Sequence, residues 1–129
     1  MLTKITHITV FVTNQDEALA FYKKLGFTVH TDAQFGTMRW LTLHLPEQKD
    51  VELILMLAES EVEKALVGKQ GADKPVISFE TTDCYKDYEQ LQAAGIPFTE
   101  EPAQYPWGIA VGFKDLYGNV LYMAQTITQ

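Results

Sequence analysis

The feature that most constrains this chain is internal repetition. A strand, a capped helix and a glycine stop occur twice, at a constant offset of 69 from His7 to Val76 and from Gly26 to Gly95. In the first copy, residues 5–12 alternate Ile8, Val10 and Val12 with His7, Thr9 and Phe11. Strict alternation gives a strand one buried face and leaves the other for a different purpose. Asn14 then opens a helix, with Glu17 placed to reach back to it. Ala18, Leu19, Tyr22 and Leu25 form its apolar stripe, and Gly26 stops it. In the second copy the strand covers 76–81, Asp83 is the cap, Tyr85, Tyr88 and Leu91 form the stripe, and Gly95 is the stop. Two copies are too few for a solenoid, so a pair of like modules is expected.

The rest of each half reads as three further strands. They are expected at 27–31, 37–45 and 51–57, and again at 98–101, 107–113 and 120–125. Residues 47–50 and 102–106 read as loops and 115–119 as a turn. Ser60 and Glu63 have the spacing of a capping box for a short helix that Gly68 ends. The expected class is therefore α+β, with two βαβββ modules at 3–57 and 75–127 and a helical linker at 58–74.

Alternation divides the strand residues into two faces. Val10, Leu41, Leu43, Leu53, Leu55, Ile77, Phe79, Leu121 and Met123, with Ile8, suit packing under helices. The opposite face would carry His7, Phe11, Trp40, Thr42, His44, Glu52, Glu80 and Tyr122. It is too polar and aromatic for a core and too apolar for a solvated surface, which suits a curved sheet forming a ligand cup. Trp40, Phe11, Tyr122 and Trp107 offer flat surfaces for a planar or cationic molecule, and also suit filling of a cup or a dimer seam. Glu80 suits a cationic group or a wet rim. Arg39 falls on the other face from Trp40.

Charge and composition narrow the partners. A net charge of −7 over 129 residues argues against nucleic acid and against an anionic membrane surface. No apolar run approaches the roughly 20 residues of a bilayer span, and the first residues carry no signal-peptide pattern. The single cysteine, Cys84, excludes an internal disulfide and fits a reducing cytosol, so a cytoplasmic protein is expected. Cys84 reads as a packing residue, since no histidine lies near it in sequence. There is no glycine-rich phosphate loop and no nucleophile elbow.

The segments HITVFVTNQDEALAFYKKLGF, RWLTL, VELIL, VISFETTD and PWGIAVGFKDLYGNVLYMAQ together resemble the vicinal-oxygen-chelate superfamily. That group contains glyoxalase I, bleomycin-resistance proteins and extradiol dioxygenases. The resemblance implies paired βαβββ modules forming a cup, commonly closed in a homodimer. It also implies, in metal-dependent members, one ligand on each of four strands. His7 and Glu52 match the first two positions, while Val76 and Tyr122 stand at the third and fourth. His44 falls on the same face and is the candidate third donor beside His7 and Glu52. The ion would be divalent zinc, nickel, iron or manganese.

Two functions follow as expectations. The first is a binding protein that holds a small planar or cationic molecule in the cup between the modules, using Phe11, Trp40, Glu80, Trp107 and Tyr122, beside an incomplete metal site. The second is a metal-dependent lyase, isomerase or dioxygenase acting on a substrate with vicinal oxygens, with His7, Glu52 and His44 or Tyr122 around the ion. No residue is singled out as catalytic in its own right.

Overall fold

The computed structural model describes residues 1–127, and the chain divides into two compact units that meet between Val67 and Gly68. The first unit holds β1 (His7–Val12), α1 (Gln15–Lys24), β2 (Thr28–Phe35), β3 (Met38–Leu45), β4 (Gln48–Leu57) and the short α2 (Glu61–Leu66). The second holds β5 (Pro75–Glu80), α3 (Cys84–Ala93), β6 (Ala103–Tyr105), β7 (Gly108–Lys114) and β8 (Val120–Thr126). Each unit is βαβββ, and its strands make one four-stranded sheet, ordered β1-β4-β3-β2 and β5-β8-β7-β6. The α+β architecture read from the repeat is the one observed.

The helices form where the caps direct them. The Asn14 side chain accepts a hydrogen bond from the Glu17 amide at 2.9 Å, and that of Asp83 accepts from the Lys86 amide at 3.1 Å. Ser60 and Glu63 make both halves of the capping box. Gly26 and Gly95 take the left-handed conformation that ends α1 and α3, with φ of 105° and 94°.

In the first unit, Ala18 and Tyr22 of α1 are buried with Val10, Leu41, Leu43, Leu53 and Leu55. Tyr22 meets the edges of Phe21 and Phe27. Gln15 fixes the start of α1 onto the sheet, donating to the carbonyls of Arg39 at 3.0 Å and Leu55 at 2.9 Å. Arg39 reaches Asp16 on the helix and Asp32 on β2, at 2.8 and 3.0 Å. Ile8, expected with the core set, is instead 44% exposed on β1, which has a neighbouring strand on one side only.

In the second unit, Ile96, Val111, Phe113, Leu121 and Met123 are the buried set, with Phe98 packed against Tyr88 and Phe113. Cys84 is buried, as read from the sequence, and its amide donates to Gln125 Oε1 at 2.9 Å. Burial, with Asp87 and Asp83 nearby, pushes its thiol above the usual range, the opposite of what a nucleophile needs.

Three element boundaries differ from the expectation. The short strand expected at 98–101 lies instead at Ala103–Tyr105, inside the stretch read as a loop. The Glu100 side chain takes the Gly112 amide at 3.2 Å, and Phe98 turns into the core, so this stretch has no strand ladder. Residues 48–50 belong to β4 and not to a loop, because Leu45 pairs with Gln48 across a two-residue turn. The second strand runs on to Phe35, carried by pairing of Asp32, Ala33, Gln34 and Phe35 with β3.

The turn between β7 and β8 is a buried polar knot. Asp115 is 5% exposed and accepts from the amides of Tyr117 and Asn119 and from the Asn119 side chain, each at 2.9 Å. Removing a buried acceptor strands its donors, at about 1–3 kcal/mol each. Asp115→Ala is therefore expected to cost about 2–4 kcal/mol in urea unfolding, whereas an unchanged midpoint would show that the turn forms without its carboxylate.

Candidate functional site

The faces of the two sheets that do not carry the buried helix-side set hold the chemistry. In the first unit, parallel pairing places His7, Thr9 and Phe11 of β1 opposite Glu52, Ile54 and Met56 of β4. Alternation adds Trp40, Thr42 and His44 from β3. His7 and Glu52 thus share one face, and Nε2 of His7 lies 3.6 Å from Oε2 of Glu52.

Glu52 is the hub of this face. Its side chain is only 16% exposed, so its charge needs partners. The fully buried Thr42 hydroxyl donates to Oε1 at 2.7 Å, and Nδ1 of His30 lies 3.0 Å from the same oxygen. Sequence reading did not single out His30. It sits at a register shift between Val29 and Thr31 where β2 bulges against β3, and such bulges re-aim side chains. No sequence signal marked it; in the structure the pairing of Thr28 with His44 puts His30 on the Thr42 side of the sheet. All three histidines of the chain stand on this face.

The three imidazoles are held differently. His7 has Nδ1 at 2.8 Å from the Thr6 hydroxyl and its other nitrogen toward Glu52. Its ring lies 5.9 Å from that of half-buried Trp40. His44 donates from Nδ1 to the Leu45 carbonyl at 2.9 Å, since a carbonyl only accepts. Its ring meets that of His30 edge-on at 5.6 Å. His30 places Nδ1 between Glu52 and the Thr31 hydroxyl, which lies at 2.8 Å.

In the second unit, Tyr122 of β8 stands opposite Ser78 and Gly112, and Glu80 opposite Ala124. Gly108, Ala110 and Gly112 of β7 make a floor of small residues. Trp107 lies in the turn before β7 and stacks flat on Tyr105, with centroids 5.1 Å apart and planes 2° from parallel. Both rings remain open, at 45% and 44% exposure. Burial, helped by Tyr105, Glu100 and Cys84, pushes the Tyr122 phenol above its usual value, so the proton stays on. Glu80 is exposed.

The metal set implied by the resemblance does not fit these residues. Val76 has no donor atom and sits at the β5 bulge, and the neighbouring Ser78 offers only a neutral hydroxyl. Tyr122 would have to lose its phenol proton to ligate, which its burial opposes. Among the described residues, no three His, Cys, Asp or Glu side chains are grouped to hold a metal ion. A closed or catalytic transition-metal site has at least three protein ligands.

Comparison with known proteins places the chain. The family model described as the Glyoxalase/Bleomycin resistance protein/Dioxygenase superfamily matches residues 4–123, and the chain belongs to that superfamily. The Bacillus subtilis protein YurT is 35% identical over 125 residues, covering 95% of this chain and 98% of YurT. A Shewanella frigidimarina protein is 31% identical over 128 residues, covering 97% and 95% of the two chains. Among solved structures, UcmS2 superposes with a TM-score of 0.86 at 31% identity, covering 98% of this chain and all of that one. TnmS3, an antibiotic binding protein from Streptomyces sp. CB03234, superposes at 0.81 with 25% identity and covers 98% of both chains. No described helix is long and apolar enough to cross a membrane.

The hub is open to a stability test. Thr42→Val keeps the side-chain shape and removes the hydroxyl that donates to Glu52. It is expected to cost about 1–2 kcal/mol in denaturant unfolding, with Thr42→Ser costing less. Equal stability of Thr42→Val and the unmodified chain would mean that Glu52 does not depend on that donor.

Proposed function

We propose that this member of the superfamily is a binding protein that holds a small planar molecule without turning it over. The observation that carries the reading is the first unit's face away from α1, where half-buried Trp40 and Phe11 give flat apolar area beside a hydrogen-bonded polar hub at Glu52. Sites that bind small molecules combine mostly apolar lining with a few convergent polar groups. The flat Tyr105–Trp107 pair supplies a second exposed aromatic surface in the other unit. Glu80 and the net charge of −7 favour a neutral or cationic ligand over an anionic one. The antibiotic-binding role named for TnmS3 supports the same direction.

The metal-dependent alternative, a lyase, isomerase or dioxygenase, stands on His7 and Glu52 alone. Elemental analysis of protein purified without chelators separates the two. The binding reading expects no stoichiometric zinc, nickel, iron or manganese. A full equivalent of metal that His7→Ala removes would favour the enzyme.

Binding itself is tested by equilibrium dialysis against a panel of planar aromatic compounds. A stacked aromatic contributes about 0.5–1.5 kcal/mol beyond its area. Trp40→Ala is therefore expected to weaken a bound member of the panel about tenfold. Saturable binding by no compound in the panel would overturn the proposal.

A further inference from the structure

We infer that His30 selects ligands carrying a hydroxyl group, by accepting a hydrogen bond from that hydroxyl at its outer nitrogen, Nε2. The inference rests on the binding reading above and names the chemical class that the site prefers: planar aromatic molecules bearing a phenolic or enolic OH.

A neutral imidazole has one donor nitrogen and one acceptor, and the partner of one fixes the role of the other. Glu52 carries a carboxylate that only accepts, so the His30 Nδ1 beside it must carry the proton. Thr42 spends its own hydroxyl proton on the same carboxylate oxygen, which keeps Glu52 in its accepting role. In the neutral imidazole Nε2 then keeps its lone pair, and no described residue donates to it. The His30 side chain is 44% exposed, so an incoming group can reach it.

The other two histidines are less suited to this task. His7 has Nδ1 against the Thr6 hydroxyl and turns Nε2 to the hub, 3.6 Å from Glu52, so its outer nitrogen is aimed at a carboxylate. His44 also has its donor nitrogen fixed, by the Leu45 carbonyl, but it is half-buried and packed edge-on against His30. Two imidazoles around one carboxylate exceed what satisfying Glu52 requires, because Thr42 and His7 already face it. The β2 bulge that brings His30 to Glu52 is thus explained by what it does for the imidazole. The groups facing His30 are Glu52 from β4, His44 from β3 and Thr31 from its own strand.

A matched pair of probes tests this: 7-hydroxycoumarin and 7-methoxycoumarin, planar molecules of nearly equal size that differ in one donor. Affinities are measured by equilibrium dialysis on the full chain. The hydroxyl compound is expected to bind about tenfold more tightly, the scale of one well-placed hydrogen bond. In His30→Phe that ratio falls to about one, while 7-methoxycoumarin binds within about twofold of its former affinity. Binding of both probes with equal affinity by the unmodified chain overturns the hydroxyl preference and leaves the binding reading in place. Binding of neither probe overturns the inference and counts against the binding reading as well. Equal weakening of both probes by His30→Phe assigns His30 a shaping role only, and also overturns the inference.

A second measurement does not depend on the variant. At mildly alkaline pH, the ¹⁵N shifts of His30 should show a protonated Nδ1 and a bare Nε2. Adding 7-hydroxycoumarin should move the Nε2 resonance toward the hydrogen-bonded range. A protonated Nε2 in the free protein would refute the assignment.

Discussion

Two parallel strands cannot be joined by a tight turn, and that constraint shapes each half of this molecule. β1 runs parallel to β4, and β5 to β8. Each unit's first strand is therefore followed by a helix before the antiparallel strands return. One helix per unit packs on one face of a four-stranded sheet, and Gln15 and the Asp83 cap fix where it starts. The face that packs no helix mixes buried residues such as Thr42 and Ile54 with half-buried polar and aromatic ones. Residues there can be chosen for chemistry, and this is where His7, Trp40, Thr42 and Glu52 lie.

Glu52 shows how that freedom is used. A carboxylate on a mostly covered sheet face is tolerated only with partners. Here the sheet itself supplies them: His7 and Thr42 on the flanking strands β1 and β3, and His30 on β2 one strand further out. His7 and Thr42 are placed by regular strand pairing, and His30 by the bulge in β2. A polar group held in this way can discriminate between ligands, because it does not relax to suit the wrong one.

The repeat made most of the fold legible in the sequence. Asn14, Asp83 and Ser60 act where their residue type and spacing said they would, and Gly26 and Gly95 stop the helices they were expected to stop. Alternation placed His7 and Glu52 together because a parallel pair of regular strands preserves it. It failed where the ladder is irregular. Phe98 and Glu100 look like a strand, yet one turns into the core and the other spends its carboxylate on the Gly112 amide. His30 escaped notice because a bulge has no period, and its importance depends on Glu52, which lies 22 positions further along the chain.

The two copies have also diverged in what their open faces can do. β3 presents Trp40, Thr42 and His44, whereas β7, the corresponding strand, presents Gly108, Ala110 and Gly112. β4 presents the hydrogen-bonded Glu52 side chain, whereas β8 presents Tyr122, a phenol that burial pushes above its usual range. The first face is therefore built from directional groups and the second from flat and small ones, with the Tyr105–Trp107 stack at its turn. Directional hydrogen bonds set which ligand is accepted, while flat apolar contact contributes affinity with little regard to substituents. On the binding reading proposed above, selectivity then rests with the first unit and contact area with the second.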